Sequence, residues 1–404
     1  MDTSPRPAAN ITVDRANLDD WRGLGELITF SADRLVAPVE GVHRAVADRW
    51  FGIGGPAVEP LRGVYNNLTA SIYNATRLGA STAAASIAVG AGLVGRRHHP
   101  LRPIWNTSRA SYIQSIVNAL WGDKLEDEQS TLAIELGLRD AEGAYIAPDP
   151  ESLDQAFPVP AGRLVVMLHG LGETERCWVQ EDGQGLVELL ESEGFSVLRL
   201  RYNTGRRVAA NGIDLAEFLE EICKTWPVPV ESIALVGHSM GGLVARSAVA
   251  KAQAFRHHWV ERTQHLVTIG APHLGTPIER VVQQAGQGLN RFSETRPIGA
   301  FIDGRSEGIK DLGYGPIIDG DRTGLIRQLF VAGAVTMEPG HPVSAVLGDL
   351  VVRVSSATGQ GRHQQVPATD ILVVGGKNHG ALIRDPDVRL GIRNWLTTKS
   401  AARL

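Results

Sequence analysis

SIALVGHSMGGLVARSAVA, residues 232–250, packs a strand, a turn and the start of a helix into one short stretch. Ile233–Val236 is a brief apolar run of strand type, and Gly242–Ala252 repeats apolar residues at helical spacing. Between them lies Gly237-His238-Ser239-Met240-Gly241. A chain that turns from strand to helix this abruptly brings its own backbone so close that the residues flanking the serine must lack bulky side chains. Gly237 and Gly241 meet that demand, and Ser239 is left exposed on a strained elbow. The helix amino terminus then directs unpaired backbone N–H groups at the same point. The pattern alone is weak in a chain with 45 glycines. The strand before it and the helix after it mark Ser239 as a candidate nucleophile.

Working outward, the texture from Arg163 onward repeats. RLVVMLHG, SVLRLRYN, HLVTIGAP, LIRQLFVAGAV and DILVVGG are short apolar runs, several of them separated by helical patterns such as Leu215–Trp226. Apolar strands alternating with helices predict a mainly parallel sheet covered on both faces. Such a sheet collects its chemistry at the carboxyl ends of its strands.

A hydroxyl at neutral pH needs a base, and the base needs an acid to orient it. Among 12 histidines, His379 in GGKNHG follows the last apolar run, Ile371–Val374, where a base should stand. His257, His258 and His265 precede or enter a strand at its wrong end, and His341 and His363 have no strand leading directly into them. Asp349, in LGDLVV after the run ending at Val335, is the candidate acid. Asp370 is the rival but begins the last strand, at the opposite edge; Asp319 and Asp321 precede a strand. The oxyanion formed on attack needs two N–H donors. Met240, immediately after the nucleophile, supplies one. The loop His169-Gly170-Leu171-Gly172 after the first long parallel strand supplies the other, assigned to Leu171, with His169 shaping that loop.

Residues 1–122 read as a helical region: Leu18, Trp21, Leu24, Leu27 and Ile28 recur at helical spacing, as do Val39, Val42, Val46 and Trp50. The acidic stretch GDKLEDEQS, 122–130, reads as a boundary, so 123–404 is expected to be the catalytic domain. Alternation at Leu132, Ile134, Leu136 and Leu138, followed by the turn Asp140–Gly143, predicts a hairpin. Residues 278–323 are longer than a connection requires and read as a cap or lid. Residues 78–95 carry no charge but consist mostly of Ala, Gly, Ser and Thr. That composition suits helices packed backbone to backbone; the alternative use is peripheral contact with a membrane or lipid surface.

With 404 residues, a net charge of -4 and 21% charged residues, the chain has no general attraction for nucleic acid. Its 2 cysteines form neither a metal-ligand spacing nor a disulfide framework. The amino terminus has no basic stretch leading into an apolar run, so no secretory signal is read and a cytoplasmic location is expected. No cofactor is implied.

HGLG at His169, RYNTG at Arg201, GHSMGGLVAR at Gly237, TIGAPHLGTP at Thr268, GDLVVRVSSATG at Gly348 and NHGAL at Asn378 together resemble the lipases and esterases of the α/β-hydrolase superfamily. Within it they are most similar to bacterial lipases related to GPI inositol-deacylases. The resemblance implies an α/β-hydrolase fold with Ser239, Asp349 and His379 as triad and Leu171 and Met240 as oxyanion donors. It also implies a serine carboxyl-ester hydrolase acting on a lipid or other small hydrophobic ester. A thioesterase, polyester depolymerase or acyltransferase on the same machinery stays open, as does a lipid-surface binding protein working through the helical region. The acid motif departs from the usual GDGxVP: Leu350 stands for the second glycine and Arg353 for the proline.

Overall fold

A computed structural model describes residues 104–180, 183–276, 303–314, 326–338, 340–361 and 364–398, with scattered positions between 23 and 82. The uncharged segment 83–95, the basic cluster at 96–99 and most of the expected cap at 278–323 lie outside the described residues. So do Asp319, Asp321 and His363.

The chain divides into two compact units. One takes in the early residues and 125–133. Every described position between 23 and 82 is helical, as the spacing predicts. Within this unit Glu26 receives Ser130 Oγ at 2.7 Å and the Thr131 N–H at 3.1 Å.

The second unit takes in 111–124, 134–280 and 306–404. Its longer described helices are α1 (Ser108–Asp127, of which 111–124 belong to this unit), α2 (Pro150–Ala156), α3 (Leu186–Ser192), α4 (Val208–Thr225), α5 (Met240–Phe255), α6 (Glu307–Tyr314) and α7 (Pro386–Thr397). Its strands are β1 (Gly137–Arg139), β2 (Tyr145–Ile146), β3 (Arg163–Leu168), β4 (Ser196–Arg201), β5 (Ser232–His238), β6 (Thr263–Ile269), β7 (Arg327–Ala334) and β8 (Asp370–Gly375). They form one sheet in the order β2-β1-β4-β3-β5-β6-β7-β8. β1 runs antiparallel to both neighbours, and every other pairing is parallel. The hairpin is present but short. Asp140 closes it by accepting the Ala144 N–H at 2.7 Å, and Gly143 takes φ +85.

Alternation along the central strands splits the core into two layers. Leu164, Val166 and Leu168 of β3 face α4 and α5 with Leu235, Leu266 and Phe330. Val165 and Met167 face the other way, with Val236, Val267, Val331, Leu190 of α3 and Ile392 of α7. Burial on both faces explains the unbroken apolar runs. The parallel register brings the carboxyl ends of β3, β5, β6, β7 and β8 to one rim.

The expected boundary at residue 122 lies beside a kink in α1 at Trp121 (φ -145, ψ 18), and residues 111–124 group with the sheet while 125–133 group with the first unit. The reason is a buried polar face. Ser111, Gln114, Ser115 and Asn118 are buried, while Tyr112, Ile113, Ile116 and Leu120 lie on the exposed side. Asn118 Oδ1 accepts the Ile134 N–H at 3.0 Å, and Asn203 Nδ2 donates to the Gly122 carbonyl at 2.9 Å. The described part of the expected cap holds α6, tied to the loop after β4 by Gly308 N–H to Gly205 O at 2.9 Å.

Behind the rim, Arg201 at the end of β4 grips Glu175 in two hydrogen bonds of 2.7 Å, Nε to Oε2 and a terminal nitrogen to Oε1. Both side chains are buried. Burial first, and the Arg201 charge second, pull the nearby Arg139 down to about 10. Such a pair is expensive to break one-sidedly, because the remaining charge has no water. Arg201→Met should therefore destabilise the fold by about 3–5 kcal/mol in urea unfolding, and Arg201→Met combined with Glu175→Gln should recover much of the loss.

Candidate active site

The elbow at Ser239 follows from sterics. A Cβ on Gly237 would stand 2.4 Å from the Gly241 carbonyl carbon and the Gly242 nitrogen, and one on Gly241 would stand 2.4 Å from the Leu168 oxygen. No side chain fits either place. Ser239 itself adopts φ 51 and ψ -121, a region that L-residues avoid at a cost of about 1–3 kcal/mol. Its N–H is fastened to Ile269 O at 2.8 Å, so β6 holds the turn in place.

Asp349 and His379, 30 residues apart, meet at the same rim. His379 Nδ1 donates to Asp349 Oδ2 at 2.7 Å. The other carboxylate oxygen accepts the N–H groups of Val351 at 3.0 Å and Val352 at 2.8 Å. Asp349 is fully buried, whereas the His379 side chain keeps 15% of its surface. The backbones are joined too: the His379 N–H donates to Asp349 O at 3.0 Å. Asn378 caps the short helix His379–Arg384 by accepting the Ala381 N–H at 3.0 Å. This fixes the tautomer: with Nδ1–H on Asp349, Nε2 is the basic nitrogen.

The His379 ring covers Gly270, where an added Cβ would come within 3.0 Å of Cε1. Gly270 directly follows Ile269, the residue that holds the Ser239 N–H. No hydrogen bond joins Ser239 Oγ to His379 among the described residues.

The turn after β3 supplies the remaining group. The Gly170 N–H donates to Glu173 Oε2 at 2.8 Å, the Gly172 N–H to Thr204 Oγ1 at 3.2 Å, and the Glu173 N–H to Gly170 O at 3.2 Å. The Leu171 N–H has no partner among the described residues. A Cβ on Gly170 would stand 3.1 Å from the Ser239 Cβ, so this turn lies against the nucleophile. Met240 begins α5, where a backbone N–H has no acceptor within the helix. His169 shapes the loop. Buried and stacked on Tyr202, it donates from Nδ1 to Gly170 O at 2.9 Å and accepts the Tyr202 N–H at Nε2 at 3.4 Å. Burial holds its titration below the ordinary range.

A parallel sheet flanked by helices, with a serine elbow after its central strand, an acid after β7 and a histidine after β8, has one well-defined description. This is the α/β-hydrolase fold. Residues 204–322 match the family described as the PGAP1-like alpha/beta domain, a stretch holding Ser239 and Met240 and ending before Asp349. Among solved structures, the chain is similar to the mature form of the Bacillus licheniformis lipase BlEst2, with 19% identity, 59% of this chain and 92% of that one covered, and a TM-score of 0.43. It is similar to an alpha/beta hydrolase superfamily protein from Enterococcus faecalis, with 18% identity, 60% and 92% covered, and a TM-score of 0.39. It is also similar to the RedJ thioesterase of the prodiginine biosynthetic pathway in Streptomyces coelicolor, with 19% identity, 63% and 94% covered, and a TM-score of 0.35. No curated protein sequence matches the chain. No helix among the described residues is long and apolar enough to cross a membrane.

The rival acid Asp370 sits at the far end of β8, where it receives Trp395 Nε1 at 2.7 Å and Arg327 at 3.5 Å. His257 and His258 are turned to Ala216 O and Glu220. Sequence reasoning passed over one pair at the rim, Glu173 and His238. The available signal was a carboxylate in the loop after β3 and a titratable ring directly before the nucleophile.

The departure from the acid motif has a backbone consequence. Leu350 adopts φ +81, the left-handed region that suits the glycine usually found there, and its side chain is exposed. The Asp349 carboxylate stays anchored because its partners are backbone N–H groups. Leu350→Gly should release about 1–3 kcal/mol of strain against about 0.5–1 kcal/mol of added chain entropy. A net gain of about 1 kcal/mol, read as a higher urea midpoint, is expected.

Proposed function

We propose that the protein is a serine hydrolase cleaving a carboxyl ester of a lipid or other hydrophobic substrate through an acyl-enzyme. The observation that carries this reading is the 2.7 Å bond from His379 to buried Asp349 at the rim that also bears the Ser239 elbow. Ser239 Oγ attacks the carbonyl carbon, and its proton passes to His379 Nε2. The negative oxygen is received by the N–H groups of Leu171 and Met240. As the tetrahedral adduct collapses, the C–O bond of the alcohol breaks and His379 returns the proton to the departing oxygen. Water then repeats the sequence on the acyl-enzyme, releasing the acid and restoring Ser239.

Asp349 favours the imidazolium that forms on His379 and keeps Nδ1 from serving as the base. No step calls for a cofactor.

A fluorophosphonate probe should label the wild-type chain at Ser239 and leave Ser239→Ala unlabelled; equal labelling of both would sink the reading. With a p-nitrophenyl ester, Ser239→Ala should lower kcat on the order of 10⁴–10⁶-fold. Asp349→Asn, which favours the wrong tautomer, should lower it on the order of 10⁴-fold while leaving the thermal midpoint within a few degrees.

A further inference from the structure

Glu173 occupies a position that the ester-cleavage steps do not use. One of its carboxylate oxygens, Oε2, accepts two hydrogen bonds of 2.8 Å: from the Gly170 N–H and from His238 Nδ1. Its backbone carbonyl accepts Ser115 Oγ of α1. His238 directly precedes Ser239 and is 1% exposed. Its ring lies against His379, with centroids 5.0 Å apart and planes at 37°. The bond to Glu173 is the His238 ring's hydrogen bond to a side chain, and the ring also interacts with the His379 backbone.

We propose that Glu173 is a positioning residue for ester cleavage, clamping the turn that carries the Leu171 N–H to the elbow that carries Ser239 and fixing, through His238, the charge beside His379. This rests on the ester-hydrolase reading of Ser239. The clamp works first by removing a donor. With the Gly170 N–H drawn to Glu173, the Leu171 N–H is the one left for an oxyanion. A second effect is the bond to His238, which makes the spacing between turn and elbow a matter of hydrogen-bond length rather than of loose packing.

The charges support the geometry. Burial acts to lower the His238 titration, but the Glu173 carboxylate raises it further, with help from the His379 backbone and Asp349. Burial acts to raise Glu173, but His238 and the Gly170 N–H bring it down to about 2. Both shifts favour the charged forms of the two partners. The other titratable groups around the pair are His169, whose titration burial lowers, Cys177 and Tyr202, which burial and the Glu173 charge push up, and Glu175, which Arg201 occupies. On the far side of His238 stand His379 and Asp349. The imidazolium lies next to His379, whereas Glu173 bonds to His238. Losing the cation should make His379 easier to protonate.

The experiment uses the purified full-length chain, p-nitrophenyl butyrate and a fluorophosphonate probe. Its variants are Glu173→Gln, which keeps an acceptor for Gly170 but cannot keep His238 charged, and Glu173→Ala, which removes both bonds. Glu173→Gln should lower kcat on the order of 10–100-fold with KM within about twofold. It should also move the acid limb of kcat/KM upward by about half a pH unit. Glu173→Ala should lose at least as much. NMR of ¹⁵N-histidine-labelled protein at pH 7 should show His238 as an imidazolium in the wild type and neutral in Glu173→Gln. The role of Glu173 is overturned in any of three cases: Glu173→Gln keeps the wild-type kcat and acid limb, its loss disappears when rates are divided by the folded fraction from circular dichroism, or wild-type His238 is neutral. A wild type that fails to label at Ser239 sinks the ester reading instead, and the positioning role with it.

Discussion

The contact between the backbones of Gly237, Gly241 and Leu168 constrains the rest of the site. Where an added Cβ would meet carbonyl atoms at 2.4 Å, strand β5, helix α5 and the end of β3 touch backbone to backbone. That closeness puts the turn 170–173 beside Ser239 and forces the serine to φ 51. A strained residue persists only where its surroundings over-determine it. Here they do: β5 is hydrogen-bonded on both sides to β3 and β6, and α5 is buried along most of its length. The stability of the two core layers offsets the strain at their shared edge.

How far the site was readable in advance follows from which signals are local. The elbow is legible because a steric demand fixes glycines at set distances from a serine. His379 and Asp349 are legible through topology: each follows an apolar run, and a parallel sheet carries the ends of such runs to one rim. The helix α1 is where periodicity misleads. Its buried side mixes Ser111, Ser115 and Asn118 with Val117, Ala119, Trp121 and Leu125, while Tyr112, Ile113 and Ile116 are exposed, so apolar residues lie on both sides. The polar side chains are drawn inward by the Ile134 N–H and the Glu173 carbonyl, which no hydropathy pattern records. The acidic stretch at 122–130 follows the kink at Trp121 and contains the division between the two units at 124/125.

Leu350 and the Glu173–His238 pair were illegible for different reasons. At Leu350 the departure from glycine reads as a weaker acid motif, yet the turn is set by Gly348, at φ +60, and by the N–H groups of Val351 and Val352. The leucine bears the strain while the carboxylate stays in place. Glu173 and His238 are 65 residues apart, and no spacing along the chain announces their bond. Only the sheet register, which sets Leu168 opposite Gly237, brings them together.

Two imidazole–carboxylate pairs thus stand side by side, and their burial is reversed. In one, the carboxylate Asp349 has no exposed surface and the His379 side chain keeps 15%. In the other, His238 keeps 2% and Glu173 keeps 27%. A ring that exchanges protons with a substrate needs an open edge and a partner that cannot drift, as His379 and Asp349 have. A ring enclosed by protein beside a carboxylate has its charged form favoured by that partner even though burial opposes it. In the proposed mechanism the first pair moves a proton, and in the proposed clamp the second holds turn and elbow together. What separates the two roles is which member of the pair the fold leaves open to the rim.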